Sequence, residues 1–190
     1  MTTYLRPAIV FLATFTLLTG VLYPLLVTGV ARLAFPHQAD GSFLMRDATP
    51  VGSTLIGQSF TSPRYFWGRL SATSPTPYNA GSSSGSNFGP LNPDLLHAAS
   101  DRAHALRAAD PGNAAPIPVD LVTASASGLD PHISPAAAQY QIRRVARARG
   151  MTEAAVRALV AQHTEGRQGG VFGEARVNVL ELNLALDGVR

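Results

Sequence analysis

A serine flanked by glycines is the first group in this sequence that suggests chemistry. Residues 81–85 read Gly-Ser-Ser-Ser-Gly and match the Gly-x-Ser-x-Gly pattern of a nucleophilic serine at a sharp turn between a strand and a helix. The Ser- and Pro-rich residues before it cannot form a buried strand, and Gly89-Pro90 after it does not open a helix. We therefore do not predict a serine hydrolase.

Histidines and acids are the second source of possible chemistry. The five histidines are scattered and form no His-Glu-x-x-His motif, whereas a zinc site needs three or four convergent ligands, so no metal site is predicted. Asp130 and His132 are the acid–base pair that a hidden enzyme would need. The competing interpretation is a loop held by hydrogen bonds between side chains and backbone.

The basic residues exclude several reaction types. All 15 are arginine, against 12 acidic residues, and the chain contains no lysine and no cysteine. A Walker A loop, a Schiff-base lysine, a Ser-x-x-Lys pair and thiol catalysis are therefore excluded. The net charge of +3 is too small to predict a nucleic-acid partner.

Four arginines crowd the end of one predicted helix: Arg143, Arg144, Arg147 and Arg149. Positive charge at that position complements the helix dipole, which is a purely stabilising role. A face that binds an anion or a partner is the alternative.

An apolar segment precedes all of these groups. Residues 7–31 carry no charge and exceed the roughly 20 residues that a helix needs to cross a bilayer. We predict a transmembrane anchor over residues 1–34 and a soluble domain over residues 35–190, with a kink at Pro24. The alternative is a signal peptide cleaved after the small residues 29–31, although its apolar region would be unusually long.

The position of the anchor predicts both its orientation and its contacts. A short N-terminal tail before a long apolar segment favours a cytoplasmic N-terminus and an extracytoplasmic domain, although the arginines on the two sides nearly balance. Thr16 and Gly20 have the small-residue spacing of packed membrane helices. With Tyr23 and Pro24 they form the predicted membrane-packing set.

The remaining elements predict an α+β domain. Helices are expected from Asn92-Pro93 to Asp110, with Leu96 and Leu106 facing inward, from Ser134-Pro135 to Gly150, and from Thr152 onward. Strands are expected at residues 55–60, 65–67, 119–125 and 176–182, the last passing into a short helix, and residues 71–93 are expected to form a long loop.

Read together, the motifs of this chain follow one another in the order of a known family. They are the Tyr-Pro pair at 23–24, GS-x-LIGQ-x-F at 52–60, YFWGR-x-SA at 65–72, SGSN-x-GP-x-NP at 84–93, PVDLVTAS at 118–125, GLDPHIS at 128–134, QI-x-RVA at 141–146 and VNVLELN at 177–183. In this pattern the sequence resembles the C subunit of the Kdp-type potassium-transporting ATPase over nearly its whole length.

The resemblance implies a bacterial plasma-membrane complex for high-affinity potassium uptake. Its partners would be a channel-like subunit that carries potassium, a P-type ATPase subunit that hydrolyses ATP, a small membrane subunit and the membrane lipid. This chain would be a non-catalytic, single-pass member needed for assembly and stability. The family loop would include Ser125, Gly128, Asp130, His132 and Ser134.

The resemblance also implies a catalytic-chaperone role that raises the ATP affinity of the ATPase subunit, with Gln141 and Arg144 on the nucleotide side. ATP is cytosolic, however, and the domain is expected outside. A domain without lysine or a Gly-rich helix start offers a triphosphate only arginines and loop amides. A cap at the ion entrance of the channel-like subunit, without nucleotide contact, is the alternative that these residues favour.

Overall fold

The computed structural model describes residues 2–188 and divides into two compact units, Met1–Phe43 and Leu44–Arg190. The first unit is mainly helical, whereas the second combines helices with short strands. The mixed α+β class predicted from the sequence is confirmed. The domain boundary predicted between residues 34 and 35 stays a prediction.

The first unit contains one long apolar helix. Helix α1 (Thr2–Leu17) passes through a π-helical segment (Leu18–Leu22) into α2 (Tyr23–Ala34), and a short helix α3 (Pro36–Ala39) follows. The stretch Thr3–Ala34 is long and apolar enough to cross a membrane, and none of it is buried inside the fold. The N-terminal apolar helix predicted from the sequence is confirmed.

Pro24 explains the π-helical segment. Its nitrogen carries no proton, so the regular bonding pattern cannot continue through it. The Tyr23 N–H bonds instead to the carbonyl of Leu18, five residues earlier. Thr19 Oγ1 donates to the carbonyl of Phe15 at 2.6 Å in the turn before. The sequence predicts a kink at Pro24, and the structure has a π turn in the residues just before this proline.

A two-stranded hairpin follows, with β1 (Phe43–Arg46) and β2 (Thr49–Ser53). Its turn residues Asp47 and Ala48 both have positive φ, 48° and 64°, as a type I′ turn requires. Alanine rarely adopts this conformation, so the sequence gives no turn signal here, and this hairpin was not predicted.

The three predicted helices of the second unit are confirmed as α4 (Pro93–Ala109), α5 (Pro135–Arg149) and α6 (Glu153–Gln162). The side chains of Asn92 and Ser134 accept the capping hydrogen bonds at the starts of α4 and α5. Gly150 ends α5 with a φ of 67°. One detail is wrong, because Leu96 of α4 is 67% exposed and only Leu106 of this helix is a buried hydrophobic residue.

The second sheet has three short antiparallel strands, β3 (His132–Ile133), β4 (Thr164–Glu165) and β5 (Arg176–Asn178), in the order β3-β5-β4. The strand predicted over residues 176–182 therefore ends at Asn178. The Asn178 side chain accepts a hydrogen bond from the N–H of Glu181 at 3.1 Å, which caps helix α7 (Val179–Leu186). His132 was expected in a loop after a strand and instead begins β3.

The predicted strands at residues 55–60, 65–67 and 119–125 are wrong. Pro118 starts a 3₁₀ turn at Val119–Leu121, and residues 55–60 form a turn and irregular chain. The predicted long loop is confirmed between residues 71 and 92. The hydrophobic core takes its residues from the α-helices, the 3₁₀ turn, β3, β5 and the irregular segment that contains Phe66 and Trp67.

Candidate functional site

Gln141 lies on the buried face of α5 and fixes the backbone of one residue with both ends of its amide. Its Oε1 accepts a hydrogen bond from the Trp67 N–H at 2.8 Å, and its Nε2 donates to the Trp67 carbonyl at 3.1 Å. Nε2 also donates to the carbonyl of Ala137 at 3.3 Å. Gln141 is 1% exposed, so its amide is fully used inside the domain.

Asn183 of α7 bonds the backbone of Phe66, the residue before Trp67, in the same way. Its Oδ1 accepts from the Phe66 N–H at 2.8 Å and its Nδ2 donates to the Phe66 carbonyl at 3.0 Å. The irregular segment at 65–67 therefore bonds to side-chain amides where a strand would bond to a neighbouring strand. The apolar pattern of this segment predicted a strand because its side chains are buried as in a strand, although its backbone partners are side chains.

Arg144 lies one helical turn after Gln141 and is also buried. Its Nη2 donates to Gln141 Oε1, and its Nη1 donates to the carbonyls of Pro63 at 2.7 Å and Tyr65 at 3.0 Å. Burial lowers the pKa of this guanidinium to about 10. The structure therefore brings the two predicted nucleotide-side residues together, but it commits both of them to internal carbonyl and amide groups.

Trp67 has two guanidinium groups over its ring. Arg144 lies 4.5 Å from the centre of its ring and Arg102 of α4 lies 5.0 Å from it. Arg102 also donates to the carbonyl of Gly68 at 2.8 Å and of Leu121 at 3.2 Å, and its pKa is lowered by burial. We call Trp67, Arg102, Gln141 and Arg144 the buried arginine cluster.

The other arginines at the end of α5 bind groups of the domain itself. Arg147 Nη1 lies 3.0 Å from Asp110 Oδ1, with Arg143 3.9 Å from the same oxygen. Arg149 pairs with Asp187 at 2.8 Å. Arg144 is 2% exposed, so the alternative of an exposed face that binds an anion is wrong for this residue. The remaining three arginines bind carbonyls or acids of the domain.

The family-loop residues fasten the long loop at 71–92 to the turn at 125–129. Ser125 Oγ accepts a hydrogen bond from the Gly128 N–H at 2.9 Å, and the Gly128 carbonyl accepts from Ser71 Oγ at 2.7 Å. Gly128 has a φ of 69°, and a Cβ there would lie 2.5 Å from Thr73 Cγ2 and 2.6 Å from the Ser84 carbonyl oxygen. Only glycine fits this close approach.

Asp130 and His132 stand next to this turn. Asp130 Oδ1 accepts from the His132 backbone N–H at 3.0 Å, and Oδ2 lies 3.1 Å from Arg69 Nη1. Burial opposes ionisation of Asp130, yet the hydrogen bonds from His132 and Arg69 outweigh it and lower the pKa of the carboxyl group. Of the two interpretations of this pair, the geometry favours the loop held by hydrogen bonds.

Ser134 is the last of the family-loop residues and binds Asp120. Both its N–H and its hydroxyl donate to the Asp120 carboxylate, at 2.7 Å and 3.1 Å. Asp120, Asp130, His132 and Ser134 line an open cavity of about 400 Å³. Among residues 2–188 no group of three or more His, Cys, Asp or Glu side chains could hold a metal ion.

Tyr78 is a half-buried residue of this loop that the sequence analysis missed. Its hydroxyl donates to the Arg69 carbonyl at 2.7 Å, and a Cβ on Gly57 or Gly68 would lie 2.4 Å or 2.7 Å from Tyr78 atoms. Burial raises the pKa of Tyr78 to about 12. A large aromatic ring within a run of Ser, Gly and Pro was the available signal.

The predicted membrane-packing residues all lie on the long helix of the first unit. Thr16 belongs to α1, Gly20 to the π segment, and Tyr23 and Pro24 begin α2. Tyr23 is 64% exposed, and a Cβ on Gly20 would meet no atom within 4 Å. Their contact with other membrane helices stays a prediction.

The family described as "K+-transporting ATPase, c chain" matches residues 5–188. Three relatives named "Potassium-transporting ATPase KdpC subunit" come from Dechloromonas aromatica, Sorangium cellulosum and Polaromonas naphthalenivorans. They are 65%, 65% and 66% identical to this chain, cover all of it, and are themselves covered over 99%, 100% and 97% of their length.

A long apolar N-terminal helix before an α+β domain, together with this match along both units, defines an accessory membrane-associated subunit of a transporter complex rather than its catalytic subunit. The chain belongs to the KdpC family of the K+-transporting ATPase.

Proposed function

We propose that this chain is the assembly scaffold of an ATP-driven potassium-uptake complex. Residues 1–34 anchor it in the cytoplasmic membrane with the N-terminus inside. Residues 35–190 lie outside and cap the ion entrance of the channel-like subunit. The complex also contains the P-type ATPase subunit and a small membrane subunit, and potassium is the ion that it transports.

One observation carries the proposal. The polar groups that resemble a binding site, above all Gln141 and Arg144, already bond to the chain's own backbone and are 1% and 2% exposed. A domain arranged in this way presents a rigid surface to partners and leaves these groups unavailable to a small ligand. We therefore assign no direct ATP contact to Gln141 or Arg144, and the catalytic-chaperone role is the alternative.

Single-cysteine labelling of intact cells tests the proposed orientation, because the chain has no cysteine of its own. Ser82 is exposed in the long loop, so Ser82→Cys should react with a membrane-impermeant maleimide added from outside. Thr3→Cys, exposed at the start of α1, is the matched control and should react only after the cells are opened. Both variants should retain potassium uptake.

The reverse labelling pattern, with Thr3→Cys reactive and Ser82→Cys protected, would place the domain in the cytosol. The capping role would then be wrong, and the nucleotide role would become the leading function. Release of a Ser82→Cys chain into the medium would instead indicate a cleaved signal peptide.

A further inference from the structure

The long apolar helix of the first unit ends in a segment that folds back toward it. Phe35 leaves the helical conformation with φ and ψ of −139° and 59°, and Pro36, which has no N–H, starts the separate helix α3. Asp40 then returns to the helix end, where its Oδ1 lies 3.9 Å from Arg32 Nε. We call residues 35–43 the fold-back segment.

Backbone hydrogen bonds give the fold-back segment a defined shape. The Ser42 N–H donates to the His37 carbonyl at 2.9 Å, and the Gly41 N–H donates to the Gln38 carbonyl at 3.1 Å. Gly41 and Ser42 both have a positive φ, 97° and 52°, so the chain reverses its direction at this point. The segment is therefore a compact turn beside the end of the apolar helix, and α3 contacts α2.

Exposed apolar side chains and one guanidinium group surround this turn. Phe35 is 60% exposed, Phe43 is 53% exposed, and Leu33 in the last turn of α2 is 89% exposed. Arg32, whose side chain is 69% exposed, is the first charged residue after the uncharged residues 7–31. Aromatic rings next to a basic residue are typical of the boundary between hydrocarbon and water, where the rings enter the lipid and the charge reaches the phosphates.

The path of the chain indicates what covers these rings. Phe35 follows directly on the apolar stretch Thr3–Ala34, so it lies next to the lipid wherever that stretch crosses a bilayer. The Arg32–Asp40 pair brings the far end of the turn back to the level of Arg32. Phe43 is three residues beyond Asp40 and therefore within about 11 Å of it. Both rings thus stay at the end of the apolar helix, and the bilayer surface is the occupant that this geometry favours.

We propose that the fold-back segment lies in the lipid headgroup layer at the C-terminal end of the anchor, with the Phe35 and Phe43 rings inserted at the hydrocarbon boundary. An apolar helix of 32 residues is about 48 Å long, whereas the hydrocarbon core of a bilayer is about 30 Å thick. The length of the helix therefore does not fix its depth, and the fold-back segment fixes it at this end. This inference rests on the proposed anchor and adds what sets its depth.

Depth-dependent fluorescence quenching of the full chain in lipid nanodiscs tests the proposal. Gln38→Cys, exposed in α3, carries an environment-sensitive fluorophore in a chain that keeps both phenylalanines. Nitroxides at the lipid headgroups should quench this label at least about twofold more strongly than nitroxides at the bilayer centre. Leu18→Cys, in the middle of the apolar helix and 45% exposed, is the matched control and should show the reverse order.

The contribution of the two rings is measured in the same way. The double variant Phe35→Ser, Phe43→Ser in the Gln38→Cys chain should lose at least about half of the headgroup quenching, because two apolar rings no longer insert. Leu91→Ser, 96% exposed in the second unit, is the matched control and should leave the quenching unchanged. The comparison of the two nitroxide depths needs neither variant, so it stands even if the double variant is unstable.

The proposal is wrong if headgroup nitroxides quench the Gln38→Cys label no more than a Ser82→Cys label in the long loop. It is also wrong if the double variant is quenched as strongly as its parent, or if the quenching disappears in the assembled complex because another subunit covers the rings. Quenching of Leu18→Cys from the bilayer centre would in each case leave the anchor intact. A Leu18→Cys label that neither nitroxide reaches in the nanodiscs would overturn the anchor itself.

Discussion

At the scale of single residues, Gln141 replaces the backbone partner that Trp67 lacks. The amide bonds both the N–H and the carbonyl of Trp67, as a neighbouring strand would, and Asn183 repeats the arrangement at Phe66. A variant of Gln141 therefore affects folding before it affects any ligand. A loss of nucleotide response in such a variant would not by itself identify a nucleotide site.

Gln141→Ala should lower the free energy of unfolding of the full chain by about 3 kcal/mol, because two buried backbone groups of Trp67 lose their partner and a cavity remains. Gln162→Ala, at the exposed end of α6, is the matched control and should change it by less than about 0.5 kcal/mol. Denaturant unfolding in detergent measures both.

Equal stability of the two variants would show that the hydrogen bonds from Gln141 to the Trp67 backbone are not needed for the fold. A saturable, submillimolar ATP affinity of the full chain that Gln141→Ala abolishes at unchanged stability would return Gln141 to the nucleotide side.

At the scale of elements, the turn at 125–129 fastens the long loop to the domain, and Gly128 is the point of closest approach. Gly128→Ala should destabilise the chain by roughly 2 kcal/mol more than Gly169→Ala. Both glycines have a positive φ, 69° and 60°, but a Cβ at Gly169 would meet nothing within 4 Å. The difference between the two thermal unfolding curves isolates the clash with Thr73 and Ser84. Equal curves would mean that the loop simply moves aside.

Elements that depend on local signals could be predicted from the sequence. Asn92-Pro93 and Ser134-Pro135 cap helices with their own side chains, and Gly150 ends one, so neighbouring residues contain all the information. The segments at 65–67 and 119–125 could not be predicted in this way, because their partners lie far away in the chain. Phe66 bonds Asn183, and Asp120 bonds Ser134.

Part of the candidate site is likewise local in the sequence. Ser125, Gly128, Asp130 and His132 are neighbours in sequence and do meet around one turn. Arg69 and Tyr78 join them from a distant segment, and although the ring of Tyr78 stands out in its loop, no local pattern indicates which turn it meets. The burial of Arg144 could not be predicted from the sequence either, because a run of arginines at a helix end normally predicts an exposed face.

At the scale of the whole molecule, the apolar residues serve two separate purposes. Among residues 2–188, the buried hydrophobic core cluster takes its residues from between Phe66 and Leu182, whereas none of the long apolar helix is buried. The second unit therefore has a buried hydrophobic core of its own.

A fragment of residues 40–190 should accordingly fold alone as a soluble monomer with one cooperative thermal transition, measured by circular dichroism. The same fragment with Gln141→Ala should melt at a lower temperature, which ties the transition to the native core. An aggregated or non-cooperative fragment would show instead that the membrane segment or the partner subunits are required for folding.

The π turn before Pro24 also affects how this subunit can sit among its neighbours. One additional residue in a turn rotates everything beyond it by about 100° relative to a regular helix. Side chains of α1 and α2 that would otherwise form one continuous stripe are thus divided between two directions. A straight helix that packed along the stripe through Thr16 would therefore leave that stripe near Tyr23, so the two halves of the apolar helix present different faces.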